Sequence, residues 1–356
     1  MPYQAVVVNR TPFTSEKFVL AAFDGQEAVL ILVNATFDVN HRGVLDLAEA
    51  QRSIVLVDQH FGDPVRSSIR YESQLALDKP FVDVLVRGHV WAPRGRPATE
   101  VSAGLRVGTL RKVLVATGDR SWRMSPLGLT PGPPEPFERL PLIYERAFGG
   151  TFEETVYLPN PVGVGYRRAR SSDPDIRTEV PNFEYPNARV STPSDTVTPA
   201  GFGVIGRGWQ PRIQYAGTFD REWLATRWPL LPEDFDSRYH QAAPQDQQLP
   251  SLVGGEPVVL VNLSADGELR FALPTYSLAA KYVYDRGDVN RDLHLDTVLL
   301  EPDERQVTLT WRAMAITRRS RGNLREIVIA DPIAMEPTAF EAISVAGTVQ
   351  WRASWR

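Results

Sequence analysis

The order of apolar and polar residues in the first third of the chain is typical of β-strands. The apolar run from Ala28 to Val39 is rich in β-branched and aromatic side chains, and a second run extends from Phe81 to Val90. Val101 to Val107 and Leu110 to Ala116 flank a short turn, which is the pattern of a hairpin. We predict an N-terminal β-rich lobe over residues 1–127.

Strand patterns return after residue 250. Val258 to Leu263 and Leu269 to Leu273 flank a turn that contains Asp266-Gly267, which is among the strongest hairpin signals. Thr297 to Leu300 and Val307 to Trp311 have the pattern of a second hairpin.

The end of the chain continues this pattern with one interruption. We predict a strand from Ile327 to Ala330, a short helix from Pro332 to Ala342 and a strand-like tail from Ile343 to Trp351. With the hairpins before them, these elements form a predicted C-terminal β-rich lobe over residues 251–356.

Residues 128–250 have a different character, because Pro and Gly recur throughout this segment. Pro lacks the N–H that a strand ladder needs and Gly adds backbone entropy, so long regular elements are not expected. One short helix is predicted, with Asp220 as its N-cap and an end at Trp228, where Pro229 follows.

The same segment is rich in aromatic side chains, whereas a disordered tract is poor in them. We therefore interpret it as an ordered, loop-rich region that packs on the core, and its aromatic side chains are the natural candidates for interface anchors. They are Phe148, Phe152, Tyr157, Tyr166, Phe183, Tyr185, Phe202, Trp209, Tyr215, Phe219, Trp223, Trp228, Phe235 and Tyr239.

Together these patterns predict a mainly β fold. It consists of two β-rich lobes, antiparallel and sandwich- or barrel-like, joined by an ordered irregular region rich in Pro, Gly and aromatic residues with one or two short helices. In this interpretation the three segments form one continuous domain over residues 1–356. A repeat period of about 20–50 residues is absent, which disfavours solenoids and propellers.

Composition removes several classes of function. The net charge is -4, from 39 basic and 43 acidic side chains spread over the whole length, so no basic surface for nucleic acid is expected. The sequence has no Cys, which excludes disulfides and thiolate metal sites.

Membrane association and secretion are not expected either. The longest aliphatic run, Ala28 to Val33, has six residues, whereas a membrane-spanning helix needs about 20. The amino terminus, Met1 to Gln4, lacks the charged opening and the apolar run of a secretory signal. We therefore expect a cytoplasmic protein.

The sequence from Gly201 to Gly206 matches the glycine pattern of a dinucleotide-binding loop. Such a loop needs a strand before it and a helix after it, whose N-terminus holds the pyrophosphate. Pro199 precedes the motif and Pro211 follows it, so a helix of useful length cannot begin there. We interpret the motif as a glycine-rich loop packed under aromatic side chains, and we expect no cofactor.

Residues 288–294 resemble the beginning of a calcium-binding loop. The loop needs Gly at its sixth position and Glu at its twelfth, where this chain has Leu293 and Leu299. Both requirements fail, so a calcium site is not expected.

The acidic residues of this stretch have a simpler interpretation. We predict that residues 292–296 form an alternating strand whose polar face lies in water. A weak metal site of Asp292, His294 and Asp296 on that face is the alternative. The five histidines show none of the spacings of a zinc enzyme, and neither a nucleophile elbow nor a phosphate-binding loop occurs.

Arg70, Tyr71 and Glu72 form a dense group of interacting residue types. Arg70 and Glu72 share one face if the segment is extended, and they can pair with partners on neighbouring strands. Structural ion pairing is the favoured interpretation, and a protein-recognition patch is the alternative.

A series of short motifs extends over nearly the whole chain, at residues 9–13, 17–18, 35–38, 62–64, 70–73, 75, 79–80, 120–122, 141–150, 160–163, 242–247, 295–298 and 311–312. In this order, the motifs resemble a bacterial family of unknown function that is encoded beside type VI secretion spike and effector genes. Asn34 departs from the family pattern, which has Lys before Ala-Thr-Phe; we treat it as an exposed position with little effect on the strand.

The resemblance implies an adaptor or chaperone that binds a type VI secretion effector and helps load it onto the spike. The implied partners are the effector and the spike protein. A β scaffold offers strand edges, and aromatic loops supply interface anchors. The candidate protein-binding residues are Arg70, Tyr71, Glu72, Tyr144, Arg146 and Phe148.

Two other classes of function remain open. An enzyme on a β scaffold, either a hydrolase or a carbohydrate-active protein, would have a deep pocket with converging acids or a His with a perturbed pKa, because triads assemble in space rather than in sequence. A structural component of the secretion particle would be present there at fixed stoichiometry.

Overall fold

A computed structural model describes residues 5–126, 128–166, 179–331, 340–345 and 348–353. The prediction of a mainly β protein is confirmed, since the described chain consists of strands in several sheets, one α-helix and short 3-10 turns. Within the described part, no helix has the length and apolar character needed to cross a membrane.

The strands are numbered in chain order. The first group is β1 (Val6–Asn9), β2 (Thr14–Ala21), β3 (Glu27–Val39), β4 (Leu45–Leu47), β5 (Gln59–His60), β6 (Ile69–Tyr71), β7 (Val82–Val86), β8 (His89–Trp91), β9 (Glu100–Val107) and β10 (Leu110–Thr117). The short strands of the middle region are β11 (Trp122–Ser125), β12 (Gly128–Pro131), β13 (Arg139–Pro141), β14 (Phe148–Gly149), β15 (Thr151–Phe152), β16 (Thr155–Val156), β17 (Val164–Gly165), β18 (Phe183–Glu184) and β19 (Gln248–Leu249). The last group is β20 (Pro257–Val261), β21 (Glu268–Ala272), β22 (Ala279–Tyr284), β23 (Val289–Asp292), β24 (His294–Glu301), β25 (Gln306–Ile316), β26 (Leu324–Ala330), β27 (Phe340–Val345) and β28 (Thr348–Ala353).

The largest sheet has seven strands in the order β19-β7-β24-β25-β3-β2, with β4 also paired to β3. Strands from residues 1–127 and from residues 251–356 therefore lie side by side in it. All of its pairs are antiparallel except β7 with β24, which run parallel. The boundaries at residues 127 and 250 stay a prediction, but the two β-rich segments are joined by backbone hydrogen bonds.

Two further sheets of the described chain have more than two strands. One has the order β18-β10-β9-β20-β21, and the other has the order β1-β26-β22-β23. The hairpins predicted on each side of Gly108 and of Gly267 are the pairs β9–β10 and β20–β21, and the hairpin predicted on each side of residues 301–305 is β24–β25. All three predictions are confirmed.

The central strand β3 is buried on both faces, which is why it reads as a continuous apolar run. One face, from Val29 through Phe37, belongs to the main hydrophobic core together with alternate residues of β7, β24 and β25. On the opposite face Leu30 and Leu32 pack with Ile54, but Asn34 and Thr36 follow them. That second face therefore turns from apolar to polar along one strand.

Buried side chains hold the irregular middle region. Asn160 is fully buried, and its amide donates to the carbonyl oxygens of Tyr144 at 2.8 Å and Phe148 at 3.1 Å. Its backbone carbonyl accepts from the Gly150 N–H at 2.8 Å. The side chain and the backbone of this one residue thus supply hydrogen bonds that the glycine-rich turn cannot make through a strand ladder.

The helix predicted after Asp220 is confirmed as α1 (Arg221–Thr226), and the Asp220 carboxylate accepts from the Trp223 N–H at 2.8 Å as an N-cap does. The helix predicted from residue 332 is wrong over residues 340–342, which belong to β27 and pair with β28; residues 332–339 lie outside the described residues. The strand-like tail is confirmed in β27 and β28.

Replacement of Asn160 by Leu should destabilise the protein by about 3 kcal/mol, because two buried carbonyl groups would lose the donor that this side chain supplies. Urea unfolding measures the difference. The matched control is Asn187→Leu, at an exposed residue whose side chain has no hydrogen bond to any described residue, which should change the free energy of unfolding by less than about 0.5 kcal/mol. Equal effects of the two substitutions would contradict the role assigned to Asn160.

Candidate functional site

The polar face of the central sheet forms the floor of a cavity of about 80 Å³. Residues opposite each other in register point to the same face and form rows across β7, β24, β25 and β3. One row consists of Asp83, Thr297, Thr310 and Asn34. The neighbouring row consists of Leu85, Leu299, Thr308 and Thr36.

Asn34 lies at the centre of this floor. Its side chain is fully buried, so its interpretation as an exposed position was wrong. Its amide nitrogen donates to the Gln74 side-chain oxygen at 3.2 Å, and its oxygen accepts from the Thr310 hydroxyl at 2.9 Å and from the Gln74 amide at 2.9 Å. The partners are up to 276 residues away along the chain, and this is why the local pattern did not reveal the burial.

Asp296 is also buried, which corrects the prediction that the polar face of residues 292–296 lies in water. A bulge between Leu295 and Thr297 breaks the alternation and turns the carboxylate inward. Its oxygen lies 2.6 Å from Nε of Arg312. Burial alone would raise the pKa of Asp296, but Arg312 and Lys79 hold it below its ordinary value.

Three cations surround the ring of Tyr71 at the edge of the cavity. The guanidinium carbons of Arg52, Arg70 and Arg87 lie 4.9, 5.2 and 5.0 Å from the ring centre. Below them the fully buried Glu301 accepts from the Tyr71 hydroxyl at 2.7 Å, from Nε of Arg87 at 2.6 Å and from Arg52. Burial and this carboxylate raise the pKa of Tyr71, so the phenol stays protonated and donates.

The candidate residues of this segment thus lie together at the cavity. Glu72 forms the expected ion pairs, with Nη1 of Arg212 at 2.7 Å and Nε of Arg207 at 3.2 Å. Arg70 is exposed and has no ion pair with any described residue. Whether the segment contacts a partner stays a prediction.

The other three candidate residues are placed differently. Tyr144 and Phe148 are buried, so they support a surface from below and do not face a partner. Arg146 is half-buried and donates to Asp119 at 2.7 Å and to Asn182 at 3.1 Å. The structure therefore does not join these residues to Arg70, Tyr71 and Glu72 in one contact patch.

An open groove of about 810 Å³ lies on the other side of a thin wall. The wall consists of residues 203–205 and 240–243, whose side chains alternate between the two concavities. Val204, His240 and Ala242 line the cavity, whereas Ile205, Gln241 and Ala243 line the groove. The groove is also lined by Asn and Gln side chains. Its tyrosines and prolines include Tyr157, Tyr185, Tyr215, Pro159, Pro199 and Pro211.

Asp83 holds the wall in place. This fully buried carboxylate accepts from the N–H groups of Ala242 at 2.7 Å and Ala243 at 3.1 Å, and from the Gln241 amide at 2.8 Å. Nζ of Lys79 lies 2.6 Å from it and supplies the compensating charge.

Gln247 and Lys112 support the groove from below. The fully buried Gln247 donates to the carbonyl of Val84 at 2.6 Å and accepts from Nζ of Lys112 at 2.8 Å. Lys112 also pairs with Asp246 at 2.8 Å, yet burial dominates and lowers its pKa to about 8. Tyr185 donates to the same Asp246 at 2.9 Å, which fixes its ring at the groove.

The glycine-rich motif from Gly201 to Gly206 is a packed loop, as its flanking prolines predicted. A Cβ atom at Gly201 would lie 2.6 Å from the Tyr144 ring, and one at Gly206 would lie 2.8 Å from the Trp209 ring. The glycines permit these aromatic rings to approach the loop, and the prediction of a loop packed under aromatic side chains is confirmed.

Asp292 and His294 are exposed, and Asp296 points away from them toward Arg312. Across the described ranges, no three His, Asp or Glu side chains converge in a way that could hold a metal ion.

No local sequence pattern marks His240, Arg52 or Arg207 as parts of one cavity, because each comes from a different loop. Tyr157, Tyr185 and Tyr215 were among the aromatic side chains of the middle region, but only the fold places them in one groove.

These features define a mainly β protein in which a polar cavity and an open aromatic groove share one wall. Residues 24–312 match the model of a family described as uncharacterized protein conserved in bacteria (DUF2169), and the chain belongs to that family. The resemblance seen in the motifs is thus confirmed at the level of a bacterial family, and the role in secretion stays a prediction. No curated protein and no solved structure matches the chain.

Replacement of Arg312 by Met should destabilise the protein by about 3–5 kcal/mol at pH 7, because the Asp296 carboxylate would remain buried without its ion pair to Arg312. In the Arg312→Met variant, burial raises the pKa of Asp296. The carboxylate therefore takes up a proton as the pH falls from 7 toward 5, and this removes the cost of burying its charge. In the wild type the pKa of Asp296 is lowered, and the stability from this pair is lost only below the ordinary value of 3.8. The difference between the two proteins should therefore shrink on acidification.

Urea unfolding at pH 7 and pH 5 measures both effects. Arg325→Met is the control, because its pair with Asp285 is exposed and should contribute less than about 1 kcal/mol. A penalty for Arg312→Met that is the same at both pH values would contradict this account of the pair.

Proposed function

We propose that this protein is an adaptor that binds a type VI secretion effector and helps load it onto the spike, and that an extended segment of the effector lies in the tyrosine- and proline-lined groove. The groove is the observation that carries the proposal. Its volume of about 810 Å³ is within the range of about 300–1,000 Å³ found for ligand sites.

The chemistry of the groove suits an extended polypeptide. Tyrosine rings supply large, rigid contact surfaces with a hydroxyl at one end, and prolines keep the rim fixed without adding backbone donors. Asn and Gln side chains between them can pair with the backbone N–H and C=O groups of a bound segment. The groove would therefore recognise a partner segment whose backbone N–H and C=O groups are not already paired in secondary structure.

A second exposed surface suits a large partner. Phe23 in the turn between β2 and β3, and Phe219, Leu224 and Trp228 in and beside α1, are exposed. Arg227 joins the two elements, since it donates to the Phe23 carbonyl at 2.7 Å and its guanidinium lies 4.4 Å from the Phe23 ring centre. Clustered exposed apolar side chains of this size mark interaction sites.

One observation bears on the alternative of an enzyme. His240 lines the cavity and has a strongly perturbed pKa, as a catalytic His would. Burial and nearby cations lower that pKa to about 3, which makes the imidazole a weak base at neutral pH. Its ring has no hydrogen bond with any described residue, so neither a nucleophile nor an orienting acid adjoins it. Binding is the function that the geometry supports better.

The test is co-purification of the tagged protein with the secretion effector encoded beside it. Thr198 is exposed on the groove, and Thr198→Arg should reduce the retained effector by about tenfold or more, because the long cationic side chain would occupy the groove. Thr196→Arg is the matched control: the same exposed residue type on the same segment, but outside the groove lining, with retention expected to be unchanged.

Two outcomes would reject the proposal. One is equal retention of the effector by the two arginine variants, which would remove the groove from the interaction. The other is normal solubility and export of the effector in cells that lack this protein, which would remove the adaptor role itself.

A further inference from the structure

Two arginine-rich loops lie side by side at one end of strands β22 and β26. One loop joins β22 to β23, and the other joins β25 to β26. The Asp285 N–H in the first loop donates to the carbonyl of Asn323 in the second at 3.0 Å. The Arg286 N–H donates to the carbonyl of Arg321 at 3.0 Å. These backbone hydrogen bonds make the two loops one continuous surface.

The shape of this surface is fixed by a glycine and a carboxylate. Gly322 has a φ of 75°, a conformation that favours glycine, and a Cβ atom there would lie 2.6 Å from the carboxylate of Asp285. That carboxylate accepts from the Asn323 N–H at 2.7 Å and from Arg325. Asp285 thus holds the second loop in place, and its charge is already paired with Arg325.

Three arginines of the surface line one concavity of about 360 Å³. They are Arg291 of β23 and, from the second loop, Arg318 and Arg321. Val289 and Ile316 supply the apolar part of the lining. The volume is within the range of about 300–1,000 Å³ found for ligand sites.

The positive charge of the concavity has no acidic partner. Nη1 of Arg321 donates to the backbone carbonyl of Asp288 at 3.4 Å, which holds the guanidinium over the first loop. The Asp288 carboxylate is paired elsewhere, since it lies 2.9 Å from Nζ of Lys281. Arg291, Arg318 and Arg321 form no ion pair with a carboxylate of the described ranges.

The proximity of these charges distinguishes the concavity from ordinary solvated surface. Like charges repel, and salt at about 0.1 M screens exposed charges mainly beyond about 10 Å. A concavity of about 360 Å³ brings its lining side chains within that range of one another. An anion in contact with the three guanidinium groups would offset the repulsion and gain charge-assisted hydrogen bonds.

We propose that this concavity binds a small molecule that carries a diphosphate, with the phosphate oxygens on Arg291, Arg318 and Arg321. A phosphate group has a charge of about -1.5 to -2 at neutral pH and three acceptor oxygens. The planar guanidinium group donates two parallel hydrogen bonds to such oxygens. A diphosphate suits three arginines better than a single phosphate does, because it presents more oxygens and more charge.

The site is independent of the proposed adaptor role. It shares no lining residue with the aromatic groove or with the polar cavity. A diphosphate can be free or part of a nucleotide, and the two sources share the chemistry that the arginines recognise. Val289 and Ile316 would contact the nucleoside of the second source.

Isothermal titration calorimetry of the full chain with pyrophosphate tests the proposal. We expect a single site with a dissociation constant of about 0.1–1 mM at low salt. Binding should weaken several-fold when NaCl is raised from about 50 to about 300 mM, because salt screens exposed charges. Malonate is a dianion with fewer acceptor oxygens, and it should bind about tenfold more weakly than pyrophosphate.

Two neighbouring arginines provide a variant and its matched control. Arg318→Gln removes a charge from the lining and should weaken pyrophosphate binding by about tenfold. Arg319 is also exposed and without an ion pair to any described residue, but it lies outside the lining, so Arg319→Gln should weaken binding by less than about twofold. Both variants should unfold at the same urea concentration as the wild type, because the replaced side chains are exposed.

Titration with adenosine diphosphate distinguishes the two sources of the ligand. Tighter binding of adenosine diphosphate than of pyrophosphate assigns the site to a nucleotide, whereas equal or weaker binding assigns it to the free diphosphate.

Three results would overturn the proposal. The first is the failure of both compounds to bind at concentrations up to about 10 mM. The second is an equal loss of binding in Arg318→Gln and Arg319→Gln, because the general charge of the loop and not the concavity would then attract the anion. The third is equal affinity for malonate and pyrophosphate, which would remove the selection for phosphate.

Discussion

The polar face of the central sheet is the constraint on which the rest of this structure depends. Asn34, Thr310, Asp83 and the neighbouring Asp296 are buried there, and buried polar groups are tolerated only when they are paired. The chain therefore cannot cover this face with an ordinary apolar layer. The covering loops bring Gln74, Arg207 and residues 240–243, and each contributes a donor, an acceptor or a compensating charge. The irregular middle region follows from this requirement, because loops can aim single polar groups where a regular helix or strand would repeat them.

The wall between the cavity and the groove shows how little backbone separates two different environments. Alternate residues from His240 to Ala243 face opposite sides, as in a strand, although the segment pairs with a carboxylate instead of a neighbouring strand. Asp83 thus acts as a substitute for a sheet edge, and Lys79 forms an ion pair with it. Because the N–H groups of Ala242 and Ala243 share one carboxylate, a shift of the wall toward either concavity would disturb both hydrogen bonds. This arrangement favours a rigid wall and two independently shaped sites.

Much of the secondary structure could be predicted from the sequence, because its signals are local. The alternation in β9 and β10 and the Asp-Gly turn before β21 need only a few neighbouring residues, and the N-cap of α1 needs only Asp220 and Trp223. The failures have a common physical cause. Asn34 and Asp296 look like surface residues until β25 supplies Thr310 and Arg312, and residues 340–342, expected at the end of a helix, belong to β27 because it pairs with β28. Burial and site geometry depend on pairing between distant segments, which periodicity within one segment does not reveal.

The motifs that revealed the family are mostly parts of this paired interior. Asn160 ties a turn together, Gln247 supports the groove from below, and Asp296 and Arg312 form the ion pair next to the cavity. A resemblance carried by such residues identifies a fold, because their substitution would leave buried groups unpaired. The groove surface includes residues of another kind, such as Asn187, Thr198 and Tyr215, which lie outside those motifs and, with the exception of the Tyr215 ring under Arg238, have no side-chain partner in the described chain. These positions can change without a cost in buried polar groups, so chains that share this interior are free to differ in what the groove binds.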